Sequence, residues 1–233
     1  MKIAGIQSLT LLDYPGKLAT TVFLKGCNFK CPFCHNKGII SSEADHTCEW
    51  DKKSILKHLN KRRTLIDGVC ISGGEPTIHE DLPDFLDEIK NLGFSVKLDT
   101  NGSNPRMLKE CLYRGVVDYI AMDIKTSLVD TSYDTVAGVK TDKDAIKESI
   151  NIIMDDGLID YEFRTTVVGM LHFTNDFKEI GKLVKGARLY ALQQYMPIDS
   201  PSCVMKKPTP NFMHACRRML LPYVDEVILR GVE

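Results

Sequence analysis

The segment LATTVFLKGCNFKCPFCHNKG (residues 18–38) decides the fold class, because an apolar run leads directly into a loop with three cysteines. The run LATTVFLK (18–25) is rich in apolar and β-branched residues, which predicts a strand. Cys27, Cys31 and Cys34 then follow with the spacing C-x3-C-x2-C. In parallel α/β folds the functional loops lie at the carboxyl ends of the strands, and this loop has that position.

The same alternation of short apolar runs and longer amphipathic stretches continues along the chain. Further strands are predicted at 68–72, 94–100, 118–124, 161–168 and 188–195, and helices at 51–62, 80–91, 105–114, 142–156, 174–185 and 210–221. Six strands that are each followed by a helix predict an α/β fold with a parallel sheet. The run EVILR (226–230) is a candidate for a further strand. An open doubly wound sheet and a full or partial barrel both fit this pattern.

Capping residues, prolines and glycines support the predicted helix boundaries. Asn104-Pro105 and Thr209-Pro210 are typical of helix starts, because proline fits the first turn and the preceding polar side chain can cap it. Gly93 and Gly157 stand where two helices should stop. These signals place the loops between the predicted elements.

Composition limits the classes of function. The 233 residues include 30 Lys+Arg and 31 Asp+Glu, so a net charge of −1 argues against a nucleic-acid-binding surface. No apolar run approaches the ~20 residues that a membrane-spanning helix needs. Asp13 and Pro15 interrupt the N-terminal apolar stretch, so it is not typical of a signal peptide. We therefore expect a cytoplasmic protein whose residues 1–233 form one domain.

Eight cysteines are an unusual number for a chain without a secretory signal, and they favour metal or redox chemistry over disulfides. Three thiolates on one tight loop can ligate three irons of a [4Fe–4S] cluster and leave the fourth iron open to a substrate molecule. Zinc, with His35 as a fourth ligand, is one alternative, and three unligated thiols are another. The other cysteines show no compact pattern for a second cluster; they are Cys48, Cys70, Cys111, Cys203 and Cys216.

Polar residues also follow the next predicted strands. The turn Ser72–Pro76 contains Gly73 and Gly74, which permit close backbone approach, and Glu75, which could meet a cation. Asp99 ends the third strand, and Asp123 ends the fourth with Lys125 beside it. Because parallel strands end at one edge, these side chains are expected at one mouth. Ordinary solvated turns are the alternative.

Together these features resemble one protein family. The C-x3-C-x2-C spacing, the aromatic Phe33 before the third cysteine and the later Gly-Gly-Glu-Pro resemble the radical S-adenosylmethionine (SAM) superfamily. The resemblance implies a parallel partial (β/α)6 barrel. It implies that the three cysteines hold the cluster, that SAM chelates the open iron, and that Phe33 and the Gly73–Glu75 turn contact SAM.

Two further motifs, LDTNG (98–102) and AMDIK (121–125), are similar to those of activating enzymes of glycyl-radical proteins. The similarity implies that Asp123 and Lys125 contact SAM. It also implies a monovalent-cation site, with the candidates Asp99, Thr100, Met122 and Asp123. Gln193 and Gln194 end the sixth strand and are candidates for the ribose or adenine of SAM. The stretch QQYMP lacks the histidine that the pyruvate formate-lyase activating enzyme has near this place.

The stretch from Gly5 to Asn36 resembles the activating proteins of anaerobic ribonucleoside-triphosphate reductases. This resemblance implies reductive SAM cleavage and removal of a hydrogen from a glycine Cα of the reductase large subunit. A low-potential donor such as flavodoxin or ferredoxin would reduce the cluster. The alternatives are an activase of another glycyl-radical enzyme, a radical SAM enzyme acting on a small molecule or peptide, and a non-enzymatic iron–sulfur or zinc protein.

Three other polar residues are less specific signals. Arg164 on the fifth predicted strand could meet a carboxylate or a substrate backbone, or it could be structural. His172 and His214 are predicted to be surface or packing residues rather than ligands.

Overall fold

The computed structural model describes residues 1–40, 50–129, 132–197 and 205–232. Its strands are β1 (Ile3–Thr10), β2 (Ala19–Leu24), β3 (Gly68–Gly73), β4 (Ser95–Thr100), β5 (Tyr119–Asp123), β6 (Asp160–Val167), β7 (Leu189–Gln194) and β8 (Glu226–Arg230). Its α-helices are α1 (Lys37–Ile40), α2 (Lys52–Lys61), α3 (Leu82–Asn91), α4 (Pro105–Tyr113), α5 (Ser132–Ala137), α6 (Lys143–Asp156), α7 (Thr174–Leu183) and α8 (Pro210–Leu220).

All eight strands lie in one sheet in the order β1 to β8. β1 is antiparallel to β2, and each later strand is parallel to the one before it. The predicted α/β fold is confirmed: six β/α units run from β2 to α8. The candidate strand at 226–230 is also confirmed, because it pairs in parallel with β7. Within the described residues β1 and β8 form the two edges, which agrees with a partial barrel.

Three elements, β1, α1 and α5, were not predicted from the sequence. β1 lies at an edge of the sheet, and most of its side chains are partly or fully exposed. It therefore lacks the continuous apolar pattern of a buried parallel strand. α1 and α5 have four and six residues, too few to show helical periodicity.

The predicted helix boundaries follow from local hydrogen bonds. The side chain of Asn104 accepts a bond from the amide of Met107 at 3.2 Å and caps α4. Thr209 caps α8 in the same way. Gly157 ends α6 with a φ of 68°, a left-handed conformation that glycine adopts without strain.

The two faces of the sheet differ in chemistry. One face packs on the helices through buried apolar side chains such as Ile71, Leu98 and Ile120. The alternate positions carry charged residues, namely Lys97, Asp99, Asp123, Glu162, Arg164 and Arg230, and these line cavities of the structure. The concave face of the barrel is therefore polar. Among the described helices none has both the length and the apolar character needed to cross a bilayer.

Candidate active site at the carboxyl ends of the strands

The three cysteines of the loop after β2 line one cavity of about 250 Å³. The other walls come from the carboxyl ends of β3 to β7, so the structure brings the cysteine loop together with the predicted strand-end residues. The loop is bound to its surroundings at several points. Lys30 donates its amide to the carbonyl of Ala137 at 2.8 Å, and Asn36 donates its side-chain amide to the carbonyl of Gly73 at 2.9 Å. These bonds hold the cysteines in place.

Burial affects the protonation of the cysteine thiols. It raises the pKa of Cys27 to about 11, and it also raises the pKa of Cys31. At neutral pH these thiols therefore carry protons in the iron-free chain. Iron binds thiolates, so loading a cluster here must release those protons.

His35 is engaged elsewhere, which disfavours zinc with His35 as a fourth ligand. Its Nε2 lies 2.8 Å from the carbonyl oxygen of Met196, and its ring stacks on Tyr195 with centroids 5.2 Å apart. In the described part of the chain no three His, Cys, Asp or Glu side chains gather closely enough to hold one metal ion. The three cysteine side chains share the lining of one cavity.

The glycine turn after β3 packs directly against the start of the cysteine loop. Gly73 has a φ of 118°, and a Cβ there would lie 2.4 Å from backbone atoms of Leu24. A Cβ on Gly74 would lie 1.8 Å from the carbonyl oxygen of Gly26. Two glycines are therefore required by backbone packing between β2 and β3, in addition to any approach by a ligand.

Glu75 is buried at the base of the cavity, where it joins two strand ends. It accepts hydrogen bonds from the amide and hydroxyl of Thr77, from the Thr100 hydroxyl at 2.7 Å and from the Asn101 amide at 2.6 Å. Burial raises the pKa of Glu75 despite these bonds. The structure thus places Glu75 among hydrogen-bond donors of its own chain.

Asp99 and Asp123 converge on one guanidinium group. Arg164 Nη2 lies 3.1 Å from Asp99 Oδ2, and Arg164 Nε donates to Asp123 Oδ1. Lys97 pairs with Asp99, and Lys125 Nζ lies 3.0 Å from Asp123 Oδ2. Arg164 is thus part of the site, and it occupies the space between two carboxylates predicted to bind a cation.

The electrostatics of this cluster favour ionised groups. Burial alone would raise the pKa of both carboxyls, but Arg164 with Lys97 lowers that of Asp99, and Arg164 with Lys125 lowers that of Asp123. Burial would lower the pKa of Lys125, but Asp123 and then Cys31 raise it above the ordinary value. Lys125 and Arg164 thus bring two cationic groups to the wall of the cysteine cavity, where they neutralise Asp99 and Asp123.

Some of the remaining predicted site residues line the cavity, and one donates a hydrogen bond to the backbone of its own chain. Phe33 lines the cavity, and its ring meets Tyr195 edge to face. Gln193 also lines it, whereas Gln194 donates its side-chain amide to the carbonyl of Pro208 at 2.8 Å. Alternation along β7 places the two glutamines on opposite faces, so Gln193 is the one available to a ligand.

A second cavity of about 470 Å³ adjoins the first, and the two share Asp99, Arg164 and Gln193 as lining residues. Its lining contains three cationic and three acidic side chains, which are Lys97, Arg164, Arg230, Asp13, Asp99 and Glu162. Most of these six were not predicted as site residues from the sequence. The alternation of Lys97 and Asp99 in one buried strand was an available signal, since a lysine is rarely placed inside a sheet.

The comparison with known proteins identifies the family. A model described as the radical SAM superfamily matches residues 21–184, which include the cysteine loop and most of the strand ends. The chain belongs to the radical SAM superfamily. It is therefore a radical SAM enzyme, and the three cysteines on the cavity wall fit the cluster of that superfamily, because three thiolates leave one iron open.

Relatives within the superfamily include activating enzymes. The chain is 32% identical over 237 residues to a protein of Methanocaldococcus jannaschii assigned as a glycyl-radical enzyme activating enzyme, covering 99% of this chain and 96% of that protein. It is 32% identical over 142 residues to the pyruvate formate-lyase-activating enzyme of Clostridium pasteurianum, covering 59% and 57%. It is 31% identical over 134 residues to a protein of Saccharolobus solfataricus assigned as a GTP 3′,8-cyclase, covering 57% and 42%.

Solved structures support the fold of this radical SAM enzyme. A radical SAM methyltransferase from Sphaerobacter thermophilus superposes with a TM-score of 0.73 at 13% identity, covering 95% of this chain and 68% of the other. QueE from Escherichia coli gives a TM-score of 0.56 at 17% identity, covering 98% and 92%. At these identities the likeness concerns the fold alone.

Proposed function

We propose that this radical SAM enzyme activates a glycyl-radical enzyme, most specifically the large subunit of an anaerobic ribonucleoside-triphosphate reductase. The observation that carries the proposal is the 32% identity to an assigned activating enzyme over nearly the whole of both chains. The likeness of residues 5–36 to reductase activating proteins supports the reductase large subunit as the proposed partner. The single-domain organisation and a cytoplasmic location remain predictions.

The lining of the cavity offers candidate contacts for each cofactor. Cys27, Cys31 and Cys34 would hold the [4Fe–4S] cluster, and when bound the cluster and SAM supply the one-electron chemistry of reductive SAM cleavage. The ammonium group of Lys125, which is held beside Asp123, would pair with the carboxylate of SAM. A monovalent cation at Asp99 and Asp123 remains a prediction, and it would have to compete with Arg164.

The remaining SAM contacts are proposed from the lining of the cavity. The backbone of Gly73 and Gly74 would meet the methionine part, and Phe33 and Gln193 would flank the nucleoside. Glu75 would act by holding the ends of β3 and β4 together. The chain's own residues thus orient SAM and restrict water, and they leave the chemistry to the cofactors.

The charges that line the second cavity favour a polypeptide substrate over a nucleotide. Its charged side chains are balanced in number, and the Glu162 carboxylate is bound by both terminal nitrogens of Arg230 at 2.8 and 2.6 Å. A nucleoside triphosphate would require an excess of cationic groups, whereas a neutral glycine-containing loop would not. Since this cavity adjoins the cysteine cavity, such a loop could bring a glycine Cα to SAM. We therefore prefer an activase to an enzyme acting on GTP.

The first test is anaerobic reconstitution with iron and sulfide, followed by low-temperature EPR of the dithionite-reduced protein with and without SAM. We expect a [4Fe–4S]⁺ signal that changes with SAM, together with formation of 5′-deoxyadenosine. A bound zinc ion, or a cluster signal that SAM leaves unchanged, would refute the proposed chemistry.

The second test identifies the substrate class. Incubation with the anaerobic reductase large subunit and SAM should produce a glycyl-radical EPR doublet, with flavodoxin or ferredoxin as the donor. A variant subunit with alanine at the radical glycine is the matched control and should give no doublet. GTP-dependent SAM consumption without a protein partner would contradict the activase proposal and favour a small-molecule enzyme.

A further inference from the structure

His172 is a buried histidine outside the cavity, in the loop between β6 and α7. Its Nδ1 lies 3.0 Å from the amide nitrogen of Val168, and its Nε2 lies 2.7 Å from the carbonyl oxygen of Lys125. Nδ1 also lies 3.3 Å from the carbonyl oxygen of Val168. A backbone amide can only donate, and its contact with Nδ1 is the shorter one, so Nδ1 accepts a hydrogen bond from Val168. Nε2 therefore carries the proton and donates a hydrogen bond to the carbonyl oxygen of Lys125.

The carbonyl that His172 binds belongs to the residue whose ammonium group pairs with Asp123. Neighbouring groups hold the same loop. The Thr165 hydroxyl donates to the carbonyl of Ile124 at 2.6 Å, and the Ser127 hydroxyl donates to Asp176 at 3.2 Å. The imidazole thus acts at the backbone of Lys125, between the two other attachments.

We propose that His172 is a positioning residue for Lys125, which fixes the backbone from which the ammonium group reaches the SAM site. The inference rests on the proposed function, because it takes Lys125 to contact SAM. Only the neutral imidazole can accept from Val168 while donating to Lys125. Burial lowers the pKa of His172 and so favours this neutral form. The neutral imidazole thus links the backbone of Val168 to the backbone of Lys125.

Two variants separate positioning from packing. His172→Phe keeps an aromatic ring against Phe177, whose centroid lies 5.9 Å from that of His172, but it removes both hydrogen bonds. His172→Gln retains a donor that can reach the carbonyl of Lys125. His79→Phe is the matched control, because His79 Nε2 lies 3.0 Å from the carbonyl oxygen of a different lysine, Lys25.

The first readout needs no cofactor. In the iron-free chain, amide hydrogen exchange over residues 124–127 should be faster in His172→Phe than in the wild type. It should be largely restored in His172→Gln and unchanged in His79→Phe. Unaltered exchange over residues 124–127 in a folded His172→Phe variant would overturn the inference.

The second readout uses the loaded enzyme. The SAM concentration that half-converts the EPR signal of the reduced cluster should rise about tenfold in His172→Phe, within the range found for partners that orient a ligand. SAM cleavage at saturating SAM should change much less, and His172→Gln should recover most of the affinity. A lower Tm with unchanged SAM affinity would show a merely structural role and refute the inference. If SAM leaves the EPR signal of the wild-type cluster unchanged, the proposed function is refuted, and with it this role of His172.

Discussion

Several residues of the candidate site make structural contacts with the backbone, in addition to any contact with a ligand. Glu75 accepts bonds from both Thr77 and the end of β4, and Gly74 lets the turn after β3 contact Gly26. Both residues lie in the motif that resembles a SAM-binding turn. Their contacts show that the motif also fixes where the cysteine loop begins, so substitutions in it should affect the cluster as well as SAM.

The proposed role of each cysteine as a cluster ligand can be tested one residue at a time. Replacement of Cys27, Cys31 or Cys34 by Ala removes a thiolate, so the cluster should not assemble intact and 5′-deoxyadenosine formation should fall by at least about tenfold. Iron and sulfide analysis after anaerobic reconstitution measures the first effect.

Cys216→Ala is the matched control for this series. Cys216 is fully buried in α8, away from the cavity, so its loss should cost about 1 kcal/mol of stability and leave cluster and activity intact. Loss of the cluster in this variant would contradict a single cluster held by the three loop cysteines.

Gly74→Ala should displace the cysteine loop. The added Cβ would meet the carbonyl oxygen and carbon of Gly26, which are backbone atoms that cannot rotate away. We expect a loss of about 1–3 kcal/mol in the free energy of unfolding and a lower iron content after reconstitution. Gly5→Ala, at a position with open space for a Cβ, should change neither. Full iron loading of Gly74→Ala would show that the loop tolerates the shift.

At the scale of elements, the loops at the strand ends are held by one another. The loop after β5 is bound by β6 and by the β6–α7 loop, and the cysteine loop is bound by the last residues of α5 and β3. These contacts exist within the chain alone. The site geometry therefore comes largely preformed, and its integrity depends on loops that are distant in sequence.

His172 should make stability depend on pH. Its pKa is lowered by burial, despite its backbone contacts with Lys125 and Val168 and the nearby Asp176, so the folded chain binds this proton less readily than the unfolded chain. Stability should therefore fall as the pH drops below the unfolded value of about 6.5. Burial lowers the pKa of His58 and His79 in the same direction.

The contribution of His172 is isolated by comparing Tm at pH 7 and pH 5 in the wild type and in His172→Phe. The variant should lose less Tm over this range, because it lacks the titrating group. Glu75, whose pKa is raised by burial, acts in the opposite direction but is common to both proteins. Equal pH slopes would mean that His172 does not titrate differently in the folded chain.

At the scale of the whole molecule, the barrel is held together across its polar face. The last strand, β8, is paired with β7, and Arg230 reaches past β7 to bind Glu162 on β6. The Tyr119 hydroxyl binds the same carboxylate from β5 at 3.1 Å. Glu162 is 1% exposed, so these contacts replace the hydrogen bonds that its carboxylate would make with water.

Arg230→Met should weaken this connection. The buried carboxylate of Glu162 would lose its cationic partner, at a cost of about 1–3 kcal/mol, because Arg230 is 34% exposed and solvent screens part of the interaction. Urea unfolding at pH 7 gives the free energy of unfolding. The double variant Glu162→Gln/Arg230→Met should be less destabilised than the sum of the single variants. Strictly additive effects would show that the pair contributes no coupling energy.

Much of this architecture could be predicted from the sequence. The apolar runs gave six parallel strands to within a residue or two, and Asn104, Thr209 and Gly157 gave helix boundaries, because burial and capping act on neighbouring residues. The spacing of the three cysteines predicted a cluster loop, and the structure places all three cysteines on one cavity wall. The membership in the radical SAM superfamily followed from such local patterns.

The contacts between residues far apart in the chain were decided only by the tertiary structure. Arg164 on β6 contacts Asp99 on β4 and Asp123 on β5. His172 contacts the carbonyl of Lys125, which lies 47 positions earlier in the sequence. Each of these residues taken alone could be a surface or packing residue. Their roles arise because parallel strands end at one edge, where side chains separated by whole β/α units come within hydrogen-bonding distance.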